Sequence, residues 1–270
     1  MTEVRLDDKV VVVTGSSQNL GRVMALGLAD AGATLVLVSL DTDLLAKVSA
    51  EIEDRHGKGR ALPVTADITS SADCERLLST VVERFGALHV LVNCARRSSR
   101  GPGLPAEGNK LRFWESNATI WQETIRVAVN GTFLISRTLV PQMISQGWGR
   151  IITVTTSLGT MQRRFNSPYG VTKAALEAAS MIWSQDLEGT GVTVNTLIPG
   201  GSCNVDPSRV YPKGKKLLPA TVMNSAVIWL ASDQSDGKTG GRYVGKLWND
   251  ALPSNVAAVG ALEPPVLRAP

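Results

Sequence analysis

Cysteine, histidine and aromatic residues are all scarce in this chain, and each scarcity removes a class of function. The three cysteines, Cys74, Cys94 and Cys203, are scattered and odd in number. That argues against a disulfide framework and for a reducing compartment, so a cytoplasmic setting is expected. The two histidines, His56 and His89, stand far apart, no metal-ligand spacing can be drawn through them, and no metal is expected. Aromatic residues are 5% of the total, and basic loops without interleaved aromatics fit nucleic-acid binding poorly. No apolar run reaches bilayer length, and the charged start from Met1 to Lys9 does not read as a signal peptide. No membrane and no nucleic-acid partner are expected. Charge excludes less: 28 Lys and Arg against 24 Asp and Glu leave +4, which fits an ordinary soluble protein.

What is present is a repeated alternation over 270 residues, a length natural for one α/β domain. Lys9 to Thr14 is a short run of valines of the kind buried on both faces of a sheet. A small polar turn, Gly15 to Gly21, leads into an amphipathic helix that Gly32 ends, and Thr34 to Val38 is a second strand. The pattern continues with a helix over Leu44 to His56, a strand at Ala61 to Val64, a helix over Ala72 to Phe85 and a strand at Leu88 to Val92. Such alternation predicts a parallel sheet with helices on both faces. Ala95 to Leu111 reads as a long loop, followed by a helix from Trp114 or Thr119 through Asn130 to about Ile144, with a bend. Further strands are predicted at Gly149 to Thr155, Val192 to Ile198 and Tyr243 to Trp248, and helices after Tyr169 and over Thr221 to Ala231. Residues 1–252 form one dinucleotide-binding and catalytic unit in this reading, and 253–270 a tail.

Two stretches carry chemistry. Tyr169 and Lys173 are four apart at the start of the run to Leu187, which puts phenol and ammonium on one helix face. A phenol with a pKa of about 10 exchanges protons poorly at neutral pH, and a fixed cation nearby brings it toward a useful range. The turn from Gly15 to Gly21 sits between the first strand and the first helix, where a doubly wound fold places a phosphate against a helix N-terminus.

Over residues 7 to 250 these segments resemble the short-chain dehydrogenase/reductases. Thr14-Gly15-Ser16-Ser17-Gln18-Asn19-Leu20-Gly21 is similar to the family's glycine turn, and Asp67-Ile68 stands where the family's Asp contacts adenine. Asn93-Cys94-Ala95-Arg96 is similar to its Asn-Asn-Ala-Gly element, and Asn130 in Val129-Asn130-Gly131-Thr132-Phe133 to the Asn that helps hold a proton-relay water. Tyr169 with Lys173 resembles the catalytic pair, while Asn195 and Pro199-Gly200 resemble the segment beside the nicotinamide. The resemblance implies a single Rossmann-type α/β domain, doubly wound, with a parallel sheet of about seven strands. It implies an NAD(P)-dependent oxidoreductase acting between a secondary alcohol and a ketone. Tyr169 would be acid/base, Lys173 would lower its pKa, and Asn130 would organise the relay. The family's serine falls on Thr156, with Ser157 beside it as the alternative. The cofactor residues implied are Gly15, Ser17, Asn19, Leu20, Gly21, Ser39, Asp67, Ile68, Asn93, Ala95, Tyr169, Lys173, Pro199 and Gly200.

The departures from the pattern matter too. Asn19 replaces the turn's middle glycine, and Cys94 and Arg96 replace Asn and Gly. Ser39 stands where NAD enzymes carry an acid, which leans toward NADP, although Asp41 could reach the ribose and reverse that. Arg96, Arg97, Arg100, Lys213, Lys215 and Lys216 form either a solvated rim or an anion site. Phe113, Trp114 and Trp121 are pocket walls or packing residues. A homotetramer is implied by the family, with Met181 and Trp183 read as outward-facing. The alternative reading is a weakly active or non-catalytic nucleotide-binding protein on this fold, a redox sensor or structural subunit.

Overall fold

The computed structural model describes residues 4–97, 111–205 and 214–266. The first half alternates as expected: β1 (Val10–Thr14), α1 (Asn19–Asp30), β2 (Thr34–Ser39), α2 (Thr42–His56), β3 (Ala61–Thr65), α3 (Ser71–Phe85) and β4 (Val90–Asn93). Side chains set the helix starts. The Asp41 carboxylate accepts from the Leu44 amide at 3.0 Å to cap α2, and the Ser70 hydroxyl accepts from Asp73 to cap α3. Gly86, at φ +73°, ends α3 in a left-handed turn.

The loop expected over Ala95 to Leu111 lies mostly outside the described residues; beyond it come α4 (Ala118–Ile125), a π-helical turn (Arg126–Gly131) and α5 (Thr132–Ser145). The bend expected in this helix is therefore a π segment, wound more widely than the α-helices on either side. β5 (Gly149–Val154), α6 (Leu158–Met161), α7 (Tyr169–Asp186) and β6 (Val192–Ile198) follow, then α8 (Asn224–Leu230) and β7 (Arg242–Val244). β7 ends earlier than expected, because Gly245–Leu247 close into a 3-10 turn. The segment expected to be a tail folds: α9 (Ser254–Ala261) buries Ala257, Ala258 and Ala261, and β8 (Leu262–Glu263) joins the sheet.

The strand order is β3-β2-β1-β4-β5-β6-β7-β8. β1 to β7 pair in parallel and β8 runs antiparallel to β7. The outermost strand on the far side, β3, carries an exposed Pro63. Successive residues of each strand face opposite layers. Val11, Val13, Leu35 and Leu37 pack under α1, α2 and α8, whereas Val10, Val12, Val36 and Val38 pack under α3 and α5. The order reverses between β1 and β4, which is where such sheets open a ligand crevice. Among the described residues no helix is long and apolar enough to cross a membrane.

Candidate active site

The crevice begins at the β1–α1 turn. Gly15 has φ +69°, and a Cβ there would lie 2.8 Å from the Ala95 Cα; a Cβ on Gly21 would lie 2.2 Å from the Gly15 carbonyl oxygen. Only glycine allows that closeness. Asn19 adopts φ +52° in place of the middle glycine, a conformation asparagine tolerates better than most side chains. The 12-residue α1 has no side-chain cap and no acid in its first turn, so its N-terminal amides and positive dipole end are left for an anion. The buried Ser16 hydroxyl has no hydrogen-bond partner among the described residues. Thr14 ties the crevice floor together, its hydroxyl accepting from the Cys94 and Ala95 amides, each at 3.1 Å. Asn93 is buried, donates to Ser136 at 3.0 Å and leaves its side-chain carbonyl oxygen without a partner among the described residues.

At the end of β2, the Ser39 and Ser17 hydroxyls bond each other at 2.9 Å. The Asp41 carboxylate is already engaged as the α2 cap. Asp67 accepts from the Thr69 amide and hydroxyl at 2.9 and 2.7 Å, and Arg126 lies 3.6 Å away. Burial works against its charge, but these bonds and the arginine hold its carboxyl below the usual range. Ile68 is buried, 2.8 Å from where a Gly131 Cβ would sit, so it fixes the π turn from below. Leu20 packs partly on the first core layer. Pro199 is buried at the end of β6, and Gly200, at φ +85°, lets Lys246 lie close. These residues form a cradle with free amides, unpartnered polar atoms and room for backbone contact, which fits a dinucleotide. Asn195 behaves differently from expectation. Its amide is spent on Lys238 O at 2.7 Å and the Gly241 amide at 2.9 Å, bracing β6 against the approach to β7.

Tyr169, Lys173 and Thr156 converge at the C-terminal end of β5. Lys173 is buried and donates to the Val154 carbonyl at 2.8 Å, with Nζ 5.9 Å from the centre of the Tyr169 ring. Burial pulls its pKa from 10.5 to about 8. Burial also pushes the Tyr169 phenol up, and Arg96, the Thr156 hydroxyl and Arg163 pull it back. Arg96 thus adds a second cation beside the phenol to the Lys173 that the helical spacing suggested. Arg96, standing where the resemblance expected glycine, is exposed and acts on the site instead of merely projecting away. The Ser157 hydroxyl is taken up by Thr160 at 2.9 Å within its own turn, which leaves Thr156 as the hydroxyl beside the phenol.

Asn130 does not join this group. It is exposed on the π turn and, among the described residues, makes no side-chain hydrogen bond, while the buried residues of that turn are Ala128 and Gly131. Its expected relay role finds no support in its placement. Arg100 and Lys213 lie outside the described residues. Phe113 and Trp114 are exposed and stack edge-to-face at 5.1 Å, while Trp121 is half-buried.

Sequence reasoning missed the buried support behind Thr156. Glu177 continues the Tyr169–Lys173 face by one more turn and accepts from the Thr155 hydroxyl and from Arg242 Nε at 3.2 Å. Arg242 also donates to the Thr156 carbonyl at 3.1 Å and to Glu263 of β8. The i+8 spacing of Glu177 from Tyr169 was the available signal, together with an arginine at the start of an otherwise apolar strand.

The comparisons agree with this architecture. Residues 9–206 match the family model described as short chain dehydrogenase. The 2,5-dichloro-2,5-cyclohexadiene-1,4-diol dehydrogenase of Sphingobium indicum is 31% identical over 247 residues, 87% of this chain and 94% of its own. The 3-oxoacyl-[acyl-carrier-protein] reductase of Thermotoga maritima is 27% identical over 247 residues, 88% and 96% of the two chains. A short-chain dehydrogenase of Shigella flexneri, solved in complex with NADP, shares the fold at a TM-score of 0.79 and 24% identity, covering 91% of this chain and all of that one. The chain thus belongs to the short-chain dehydrogenase/reductase family and is an NAD(P)-dependent oxidoreductase of that family.

Proposed function

We propose that the protein interconverts a secondary alcohol and a ketone, with Tyr169 exchanging the substrate's hydroxyl proton. The observation that carries this reading is the convergence of Tyr169, Lys173 and Thr156 at the end of β5, with Ser157 tied to Thr160. The nicotinamide cofactor, when bound, supplies or takes up the hydride. Gly15, Ser17, Asn19, Leu20 and Gly21 would hold its phosphates, Ser39 a ribose, Asp67 and Ile68 the adenine end, and Asn93, Ala95, Pro199 and Gly200 the nicotinamide end. Ser39 brings no carboxylate and Asp41 is held as a helix cap, which favours NADP over NAD. Burial keeps the Tyr169 phenol protonated at neutral pH, so it is set to donate to a ketone oxygen, and Thr156 hydrogen-bonds that same oxygen. Arg96 and Lys173 stabilise the phenolate left behind. A soluble, cytoplasmic homotetramer is proposed with it, supported by exposed Phe133, Ile144 and Ile182 on α5 and α7. Met181 and Trp183, expected to face outward, are half-buried.

The exposure of Asn130 favours the weakly active alternative, and one series decides between them. NADPH and NADH are titrated first, and reduction of a ketone panel is then measured for three variants. Tyr169→Phe is expected to keep cofactor binding and lower turnover at least about a hundredfold. Thr156→Val should lose about 2.7–4 kcal/mol of transition-state stabilisation, and Ser157→Ala should be mild. Near-normal turnover in Tyr169→Phe, or no turnover of any ketone by the parent protein, would sink the proposal.

A further inference from the structure

Beside the turn that delivers Tyr169 lies a cleft of about 390 Å³, walled in part by Arg112, Arg163, Arg164, Phe113, Trp114 and Phe165. Among the described residues no Asp or Glu lines it. Glu115, close in sequence, is occupied in capping, its carboxylate accepting from the Arg112 amide at 2.8 Å. Among the described residues none of the three arginines has a carboxylate partner, and all three are exposed. Two are backed by aromatic faces: Arg164 lies over Phe165 at 4.5 Å and Arg112 over Trp114 at 5.2 Å. A guanidinium stacked in this way keeps its edge N–H groups free, and those edges match a planar oxyanion in two-point fashion. Phe165 also holds φ +67°, a left-handed backbone that a bulky aromatic seldom adopts and that tends to occur at ligand sites. The same turn reaches the chemistry, since Arg163 acts on the Tyr169 phenol.

We propose that this cleft binds the anionic end of the substrate, so that the enzyme acts on a ketone or alcohol carrying a carboxylate on an aromatic or otherwise apolar body. The arginines take the oxyanion while Phe113, Trp114 and Phe165 take the body, and the carbonyl is directed toward Tyr169. The substrate class rests on the oxidoreductase reading above, but the anion site can be tested apart from it.

The binding arm uses the protein with saturating NADP and titrates 2-naphthoate and 2-naphthamide by calorimetry. Naphthoate should bind at least about tenfold more tightly at low salt, the scale of a charge-assisted hydrogen bond. That advantage should shrink as ionic strength rises. It should vanish in Arg163→Gln/Arg164→Gln and survive in part in Arg163→Lys/Arg164→Lys. The kinetic arm compares 4-acetylbenzoate with its methyl ester, and the acid should have the larger kcat/KM, a ratio that collapses in the Gln variant. Equal binding of acid and amide overturns the proposal, as does an acid preference that the Gln variant keeps. Arginine-dependent naphthoate binding without turnover of either acetyl compound supports the anion site and counts against the redox reading. Turnover of acid and ester with equal kcat/KM does the reverse.

Discussion

Replacing Arg242 with methionine removes a guanidinium that is almost wholly buried, with a side chain 4% exposed, and that bridges three elements. Glu177, 5% exposed, would keep only the Thr155 hydroxyl, and the Thr156 carbonyl would lose its donor. Breaking a buried pair from one side costs about 3–5 kcal/mol, because the remaining charge stays buried without compensation. For chains of this size each kcal/mol moves the melting point by about 2–4 °C, so a drop on the order of 6–20 °C is expected. The double variant Arg242→Met/Glu177→Leu removes both charges and should recover most of that loss. Urea unfolding and thermal melts at one fixed protein concentration measure both quantities. Turnover should fall as well even where the single variant is fully folded, because Thr156 is no longer held by its carbonyl. A single variant that loses less than about 1 kcal/mol, or a double variant no more stable than the single, would refute the argument.

Lys173 makes stability depend on pH. The unfolded chain titrates this group at 10.5 and the folded chain at about 8, so between those values the unfolded state holds a proton that the folded state has released. Stability should rise with pH across that window, by about 3 kcal/mol in all, and the penalty should be complete below it. In Lys173→Met this rise should disappear; unfolding midpoints from pH 7 to 10 that keep the parent's slope would contradict the assignment. Light scattering at micromolar concentration should give a tetramer, and a monomer would count against a subunit contact through Phe133, Ile144 and Ile182.

The parallel sheet was legible because runs such as Val10 to Val13 are apolar on both faces, and few environments other than a doubly covered strand accept them. The glycine turn was legible for a similar reason: Gly15 and Gly21 sit where a Cβ would collide with backbone. The π turn at 126–131 that carries Asn130 was legible only as a bend, because a resemblance to a five-residue motif does not report how widely the helix is wound there. The Arg242–Glu177 pair spans 65 positions, and no local pattern reports a contact between a strand and a helix so far apart in sequence. Residues 254–261 looked like a tail because their buried face is alanine, which gives little amphipathic contrast. The aromatic-backed arginines at 112 and 164 were hidden for a further reason: a loop before a helix and a turn after a strand meet only in three dimensions.

Pro63 lies in the outer strand on one side of the sheet, and β8 closes the other side with two residues. Proline has no amide proton to give, and a two-residue strand offers too short a ladder to recruit a foreign segment. Both flanks are therefore poor templates for the strand addition that leads a sheet protein toward fibrils. A valine-rich sheet of eight strands can thus stay dispersed without a belt of charge along its margins. A contact between copies is then left to side chains, which can be tuned residue by residue, in place of main-chain ladders that would accept any partner.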